Sequence, residues 1–206
     1  MGFYENKILP MVIDKACSMQ PIMALREQVV PLATGVVLEV GMGSGINLAL
    51  YKAENIDFIW GLEPSAGMRK KARVNVEKAA VTVKWLDLTG EEISLEDNSV
   101  DTVLLTYTLC TIPDWRQALQ QMRRVLKPGG RLLFCEHGAA PDHKVNNWQN
   151  RVTPVWKKFA GGCHLNRPID KLIVSCGFKI EQLAQCYVAD VPRIAGYMYY
   201  GSAVKG

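Results

Sequence analysis

Three glycines at alternate positions, Gly41, Gly43 and Gly45, directly follow the apolar run Val37-Leu38-Glu39-Val40, and an acid, Glu63, lies 22 residues after the first of them. Glycine lets a backbone turn sharply and approach a ligand closely, and an acid at the end of the next strand can hold ribose hydroxyls. The pattern predicts a nucleoside cradle. A dinucleotide fingerprint would need glycine at position 46, which is Ile46.

Glu39 narrows the ligand further. A carboxylate just before the first glycine repels a pyrophosphate and attracts an ammonium group. S-adenosylmethionine carries that ammonium and a sulfonium, and it has no phosphate. A helix opening at Gly45-Ile46-Asn47 would present backbone N–H groups to the donor's carboxylate.

The histidines form a second set. His137 follows the strand-like run Arg131 to Glu136, so it falls at the carboxyl end of a strand, where open α/β sheets bind ligands. It is the first candidate for a base that removes a proton from a thiol or amine acceptor, worth ~10²- to 10⁴-fold. Glu136 beside it can orient substrate or the ring. His164, in the run Gly161 to Arg167, is the second candidate, whereas His143, beside Pro141 and Asp142, reads as surface. Tyr107 and Thr108 can add hydroxyls. Cys135, His137, His143, Cys163 and His164 fit no compact ligand spacing, so no metal site is expected. The six cysteines contain no CxxC pair, which points to reduced thiols and a cytoplasmic setting.

These residues need elements to place them. Strand-like runs at Val36 to Val40, Phe58 to Leu62, Val81 to Leu86, Thr102 to Thr106 and Arg131 to Glu136 alternate with helices beginning near Gly45, Ala66 and Asp114. This predicts a parallel, doubly wound sheet. One or two short helices, with Ile8, Leu9, Val12, Met19, Met23 and Leu25 at helical spacings and breaks at Pro10 and Pro21, precede it. Two more helices, Lys144 to Phe159 and about Ile169 to Cys176, lead to two closing strands, Lys179 to Val188 and Gly196 to Val204. No linker or repeat interrupts the chain, which is read as one domain over 1–206: a helical cap over 1–34, a cofactor core over 35–137, a substrate cap over 138–178 and closing strands over 179–206.

With 206 residues, 49% apolar and 21% charged, the chain is of globular composition. Its net charge of +4 is divided unevenly: residues 1–137 hold 15 basic and 16 acidic groups, and residues 138–206 hold 9 and 4. That excludes the strongly basic stripe of a nucleic-acid binder. The N-terminus shows no leader pattern or spanning segment. On the Lys144 to Phe159 helix, Trp148, Val152, Trp156 and Phe159 share one face. Their expected place is against the core, as a lid over an apolar acceptor pocket; peripheral contact with a membrane surface is the alternative.

Four segments in this order and spacing, Val37 to Gly45, Gly61 to Met68, Glu96 to Asp114 and Arg123 to His137, resemble the class I S-adenosylmethionine-dependent methyltransferases. The nearest branch is that of the ubiquinone/menaquinone C-methyltransferases and bacterial phospholipid N-methyltransferases. The tail, with Trp148-Gln149, Pro154-Val155-Trp156 and Gly161 to Arg167, resembles the animal methyltransferase-like 7 thiol methyltransferases. Their hydrophobic N-terminal anchor is not expected here.

The resemblance implies a Rossmann-like α/β fold, a mostly parallel seven-stranded sheet with a C-terminal antiparallel hairpin and helices on both faces. It implies a methyl donor, S-adenosylmethionine, released as S-adenosylhomocysteine. Glu39, Gly41, Met42, Gly43, Ser44, Gly45 and Asn47 would cradle the methionyl part, and Glu63 the ribose. Pro64 and Met68 would line the adenine side, Leu88, Thr89 and Gly90 would close over the base, and Thr106 and Leu109 would face the methyl. Thr89 stands where many relatives place Asp or Asn. Asp101 is expected to be structural. The implied acceptor is small or lipid-like, thiol S-methylation ahead of lipid-amine N-methylation or quinone C-methylation, with a non-catalytic donor-binding protein as the other class.

Overall fold

The computed structural model describes residues 11, 14, 15, 17–86 and 89–206. Ile8, Leu9, Pro10 and Val12, and the cofactor candidate Leu88 with its neighbour Asp87, lie outside the described residues.

The strands are β1 (Gly35–Val40), β2 (Ile56–Leu62), β3 (Val83–Leu86), β4 (Val100–Thr106), β5 (Leu126–His137), β6 (Phe178–Tyr187) and β7 (Tyr197–Lys205). They form one sheet in the order β3-β2-β1-β4-β5-β7-β6. The first five are parallel, and β7 runs antiparallel to both β5 and β6. The strand order, which periodicity leaves open, reverses between β1 and β4. In open α/β sheets such a reversal makes a crevice beyond the carboxyl ends of the strands.

Alternation along the strands sends side chains to two faces. Leu38, Val40, Val103, Leu105, Leu132 and Phe134 enter one core with helices α3 (Trp115–Val125) and α5 (Ile169–Ser175). Val37, Leu104, Leu133 and Cys135 enter the other with α1 (Gln20–Val29), on which α2 (Ala66–Lys78) also packs through Val76. Helices thus cover both faces.

Local chemistry explains the element ends. Pro21 occupies the first turn of α1, where a missing N–H costs nothing. Ser65 caps α2 by accepting from the Met68 N–H, and Asp114 caps α3 by accepting from the Gln117 N–H at 3.0 Å. Strand β5 starts at Leu126, directly after α3, five residues ahead of the expected Arg131. The Lys127-Pro128-Gly129-Gly130 stretch that should break the chain is absorbed as an irregularity in the β4–β5 register. Asp101, at the start of β4, accepts from the Val36 N–H at 2.9 Å and from Lys127 Nζ at 2.8 Å. Its role is structural.

The helix expected from Gly45 is instead a four-residue 3-10 turn, Ile46–Ala49. Its i→i+3 bonds, Leu48 N–H to Gly45 and Leu50 N–H to Asn47, wind tightly enough to aim Asn47 and Tyr51 at the same carboxylate on β1. Helix α4 (His143–Phe159) also differs from expectation. Its buried residues are Gln149 and Thr153, while Trp148 and Phe159 are 58% and 63% exposed. Gln149 satisfies three backbone groups, the Ala140 N–H and the Gly138 and Ile194 carbonyls, and that polar staple sets the helix's rotation. Trp148 and Phe159 are therefore not packed on the core as a lid, while Val152 and Trp156 of the same face reach the buried Cys163. Among the described residues no helix is long and apolar enough to cross a membrane.

Candidate functional site

A cavity of about 440 Å³ opens at the reversal of strand order, above the carboxyl ends of β1, β2 and β4. Of the residues expected to hold the donor, Gly41, Met42, Gly43, Ser44, Glu63, Pro64, Met68, Thr89, Gly90 and Thr106 line it. Gly41, Gly43 and Gly45 all have left-handed φ, of 70°, 60° and 73°, which a side chain would strain. The Glu63 carboxylate accepts the Gly43 N–H at 2.9 Å through Oε2 and the Ser65 N–H at 2.8 Å through Oε1. It ties the glycine loop to the start of α2 while still facing the cavity. Burial pushes its pKa above the usual carboxylate value, and those two N–H groups pull against the shift.

Glu39, Gly45, Asn47 and Leu109 do not line the cavity. Glu39 is 1% exposed, with Oε1 accepting from Asn47 Nδ2 at 2.7 Å and Oε2 from Tyr51 Oη at 2.8 Å. It is a buried anchor for the loop rather than a partner for an ammonium group, and burial raises its pKa. Gly45 faces α2, where an added Cβ would meet Asn75 and Ala72 at 3.6 and 3.7 Å, with Leu48 of its own turn at 3.1 Å. Leu109 is fully buried in the core. In place of the helix expected after Gly45 stands the 3-10 turn, whose first residue, Ile46, lines the cavity.

A cation also faces the cavity, and no local pattern in the chain announces it. Arg26 of α1 is buried, lines the cavity, and donates from Nη1 to Asn47 Oδ1 and Thr106 Oγ1, both at 2.7 Å. Its guanidinium lies 4.8 Å from the centre of the Tyr107 ring, and its Nε is buried without a hydrogen-bond partner among the described residues. Asp14 and Cys17, also from the N-terminal segment, join the lining, and Asp14 accepts from Ser44 Oγ. Nothing in their spacing connects these residues to a loop at 41–45.

Beyond the donor loop the lining continues with Tyr107, Thr108, Thr111, Ile112, Pro113 and Gly161. Tyr107 holds φ at 56°, a rare conformation for a non-glycine residue and one that clusters at functional sites. Burial raises the Tyr107 hydroxyl far above its ordinary pKa, so it stays a neutral phenol.

The residues expected to catalyse stand behind this wall. Glu136, His137 and His164 do not line the cavity. Glu136 is fully buried at the end of β5, and its Oε1 accepts the Thr108 and Leu109 N–H groups at 2.7 and 3.0 Å. It positions the loop that forms the wall. His137 is buried with Nε2 3.1 Å from Cys163 Sγ, and His164 packs Nδ1 3.3 Å from the Cys110 carbonyl. His137 is therefore not placed as a base in contact with substrate.

Burial raises the Glu136 pKa above its ordinary 4.5, against the pull of its N–H donors. A carboxyl raised on folding contributes stability that is fully present below the unfolded value and is lost as pH rises through the folded one. Glu136→Gln removes this titration. Its melting temperature relative to wild type is expected to climb as pH is raised from ~4 to ~8, by about 2–4 °C for each kcal/mol that the wild type loses. A difference that stays flat across thermal melts in that range would contradict it.

Known proteins share these features. Residues 38–134 match a family described as "Methyltransferase domain". A thiol S-methyltransferase of Rattus norvegicus, TMT1B, is 34% identical over 155 residues, covering 71% of this chain and 61% of that protein. A demethylmenaquinone methyltransferase of Listeria welshimeri is 33% identical over 132 residues, covering 60% and 55%. The chain spans about three-fifths of the length of the curated thiol relatives it matches. In fold, it resembles the methyltransferase solved with the Haloferax volcanii activator Trm112, with a TM-score of 0.73 at 16% identity over 98% of this chain and 96% of that one.

Proposed function

We propose that the chain, whose residues 38–134 match a methyltransferase domain, is a class I S-adenosylmethionine-dependent methyltransferase that methylates the thiol of a small, largely apolar acceptor. One observation carries the reading: the cavity at the strand-order reversal joins a glycine loop braced by Glu63 to a separate wall of Tyr107, Thr108, Thr111 and Gly161. The first half fits a nucleoside and the second leaves room for an acceptor. The identity to thiol S-methyltransferases favours a thiol over other nucleophiles.

When bound, S-adenosylmethionine supplies a methyl group on a cationic sulfur that leaves as a neutral thioether. The acceptor's thiol proton would pass to solvent and its sulfur would take the methyl in line, so that both sulfurs end as neutral thioethers. The protein's task is then alignment and exclusion of water. Glu63 would hold the ribose hydroxyls, and Pro64, Met68, Thr89 and Gly90 would form the adenine side. Arg26, which lines the cavity, would supply positive charge for the donor's carboxylate, the role assigned from sequence to a helix end.

Labelled donor offered with a panel of alkyl and aryl thiols, lipid amines and demethylated quinols tests the proposal. Thiols are expected to be methylated with the highest kcat/KM. Preference for quinols would favour the chemistry of the menaquinone relatives instead. Tight S-adenosylhomocysteine binding without turnover on any acceptor or in cell extract would leave a donor-binding protein.

A further inference from the structure

Behind the cavity wall three soft or borderline donor atoms meet, each from a different element. Cys110 comes from the loop after β4, His137 from the last position of β5 and Cys163 from the loop after α4. The three donor atoms lie within 4.8 Å of one another, and all three residues are buried. Cys163 Sγ is 3.1 Å from His137 Nε2, and Trp156 Nε1 donates to the same sulfur at 3.3 Å. The His164 N–H donates to the Cys110 carbonyl at 2.9 Å, pinning one cysteine-bearing segment to the other. Leu165, Val152, Ala160 and Ala195 close the cluster with apolar surface.

We propose that Cys110, His137 and Cys163 form a buried Cys₂His site for a zinc ion. Zinc bonds thiolate sulfur at about 2.3 Å and imidazole nitrogen at about 2.0–2.1 Å, so ligand atoms arranged tetrahedrally about it lie ~3.5–3.8 Å apart. The cluster has that scale. Two thiolates and a neutral imidazole carry a charge of −2, which a divalent cation neutralises where burial would otherwise penalise it. Two sulfurs and an imidazole select a thiophilic ion over calcium or magnesium, which take oxygen ligands. An N–H donated to a ligating sulfur is also an arrangement that orients and tunes metal ligands.

None of the three ligands lines the cavity, so the ion acts on the fold around the site. It clips the 160–165 loop, which places Gly161 in the lining, to the 107–112 loop, which places Thr108 and Thr111 there. Clips between segments far apart in sequence gain most from loop closure. Cys110 and Cys163 are 53 residues apart.

The reduced full chain, stripped with chelator and titrated with Co²⁺, is expected to bind one equivalent. The complex should show thiolate-to-cobalt charge-transfer absorption, and an equivalent of Zn²⁺ should displace the metal. Zn²⁺ should also raise the melting temperature. Cys110→Ser and Cys163→Ser should each weaken Co²⁺ binding by more than the ~10- to 100-fold that follows loss of an outer partner. Cys186→Ser, in β6 and outside the cluster, should leave it unchanged. Far-ultraviolet circular dichroism of each variant reports folding independently of the metal and of donor binding. A wild-type chain that folds and shows no charge-transfer band, or a band that survives in Cys163→Ser, overturns the site. Neither result depends on methyl transfer, so the assignment of the acceptor stands or falls separately.

Discussion

Glu63→Ala is expected to weaken S-adenosylhomocysteine binding by ~10²- to 10³-fold while leaving the sheet folded. Two losses add. A carboxylate bound to a ribose diol makes charge-assisted hydrogen bonds worth about 1.5–3 kcal/mol each, so ~3–4 kcal/mol for an imperfect pair. The same carboxylate accepts the Gly43 and Ser65 N–H groups, so its removal also frees the glycine loop from the start of α2. Glu63→Gln separates the two contributions. It keeps a carbonyl oxygen for one of those N–H groups, loses the charge, and should fall between wild type and alanine. Calorimetric titration of the three proteins reads the series directly. Affinity within about fivefold of wild type for the alanine variant would remove Glu63 from the ribose site.

Gly41→Ala should act as strongly by a steric route. The position has φ of 70°, where a Cβ costs roughly 1–2 kcal/mol. That Cβ would stand 2.8 Å from Thr108 Cβ and closer still to both of the Thr108 branch atoms. Threonine is stiff at χ1, and its N–H is held by Glu136 at 2.7 Å, so the wall cannot yield cheaply. Donor affinity should fall by ~10²-fold or more, and the melting temperature with it. Gly43→Ala is the internal control. Its φ of 60° carries the same backbone strain, but an added Cβ meets only the flexible Met68 Cε within 3.4 Å, at 3.3 Å, so a loss of about tenfold is expected. Thr108→Ala should recover part of the Gly41→Ala loss in a double-mutant cycle, and additive losses would show that the two residues do not meet.

The aromatic stripe of α4 shows where periodicity stops being informative. Trp148, Val152, Trp156 and Phe159 satisfy the helical spacing of a buried face, yet the helix turns Gln149 and Thr153 inward. Spacing reports that four residues share a side, not which way that side points. The direction was decided by three backbone groups, at Ala140, Gly138 and Ile194, that Gln149 satisfies. Lost hydrogen bonds to buried backbone weigh as much as a partly exposed indole.

Glu39 and His137 make the same point at the site. Both sit at the carboxyl ends of strands, where a ligand belongs, and both are turned away from the cavity. The period of two that places β1 and β5 in the sheet fixes the face each side chain takes, but the partners waiting there lie elsewhere in the chain. Asn47 and Tyr51 claim Glu39, and Cys163 claims His137.

The strands, their alternation with helices, the closing hairpin, and the glycine loop with its acid 22 residues on are all legible in the linear chain, because they rest on short-range spacing and on glycine's access to positive φ. The strand order, the entry of Arg26 into the cavity, the withdrawal of Glu39 and the meeting of Cys110, His137 and Cys163 emerge only once the chain is folded. Each depends on atoms of separate elements, from 8 residues apart for Glu39 and Asn47 to 80 for Arg26 and Thr106, a contest settled by packing and by satisfaction of polar groups across elements.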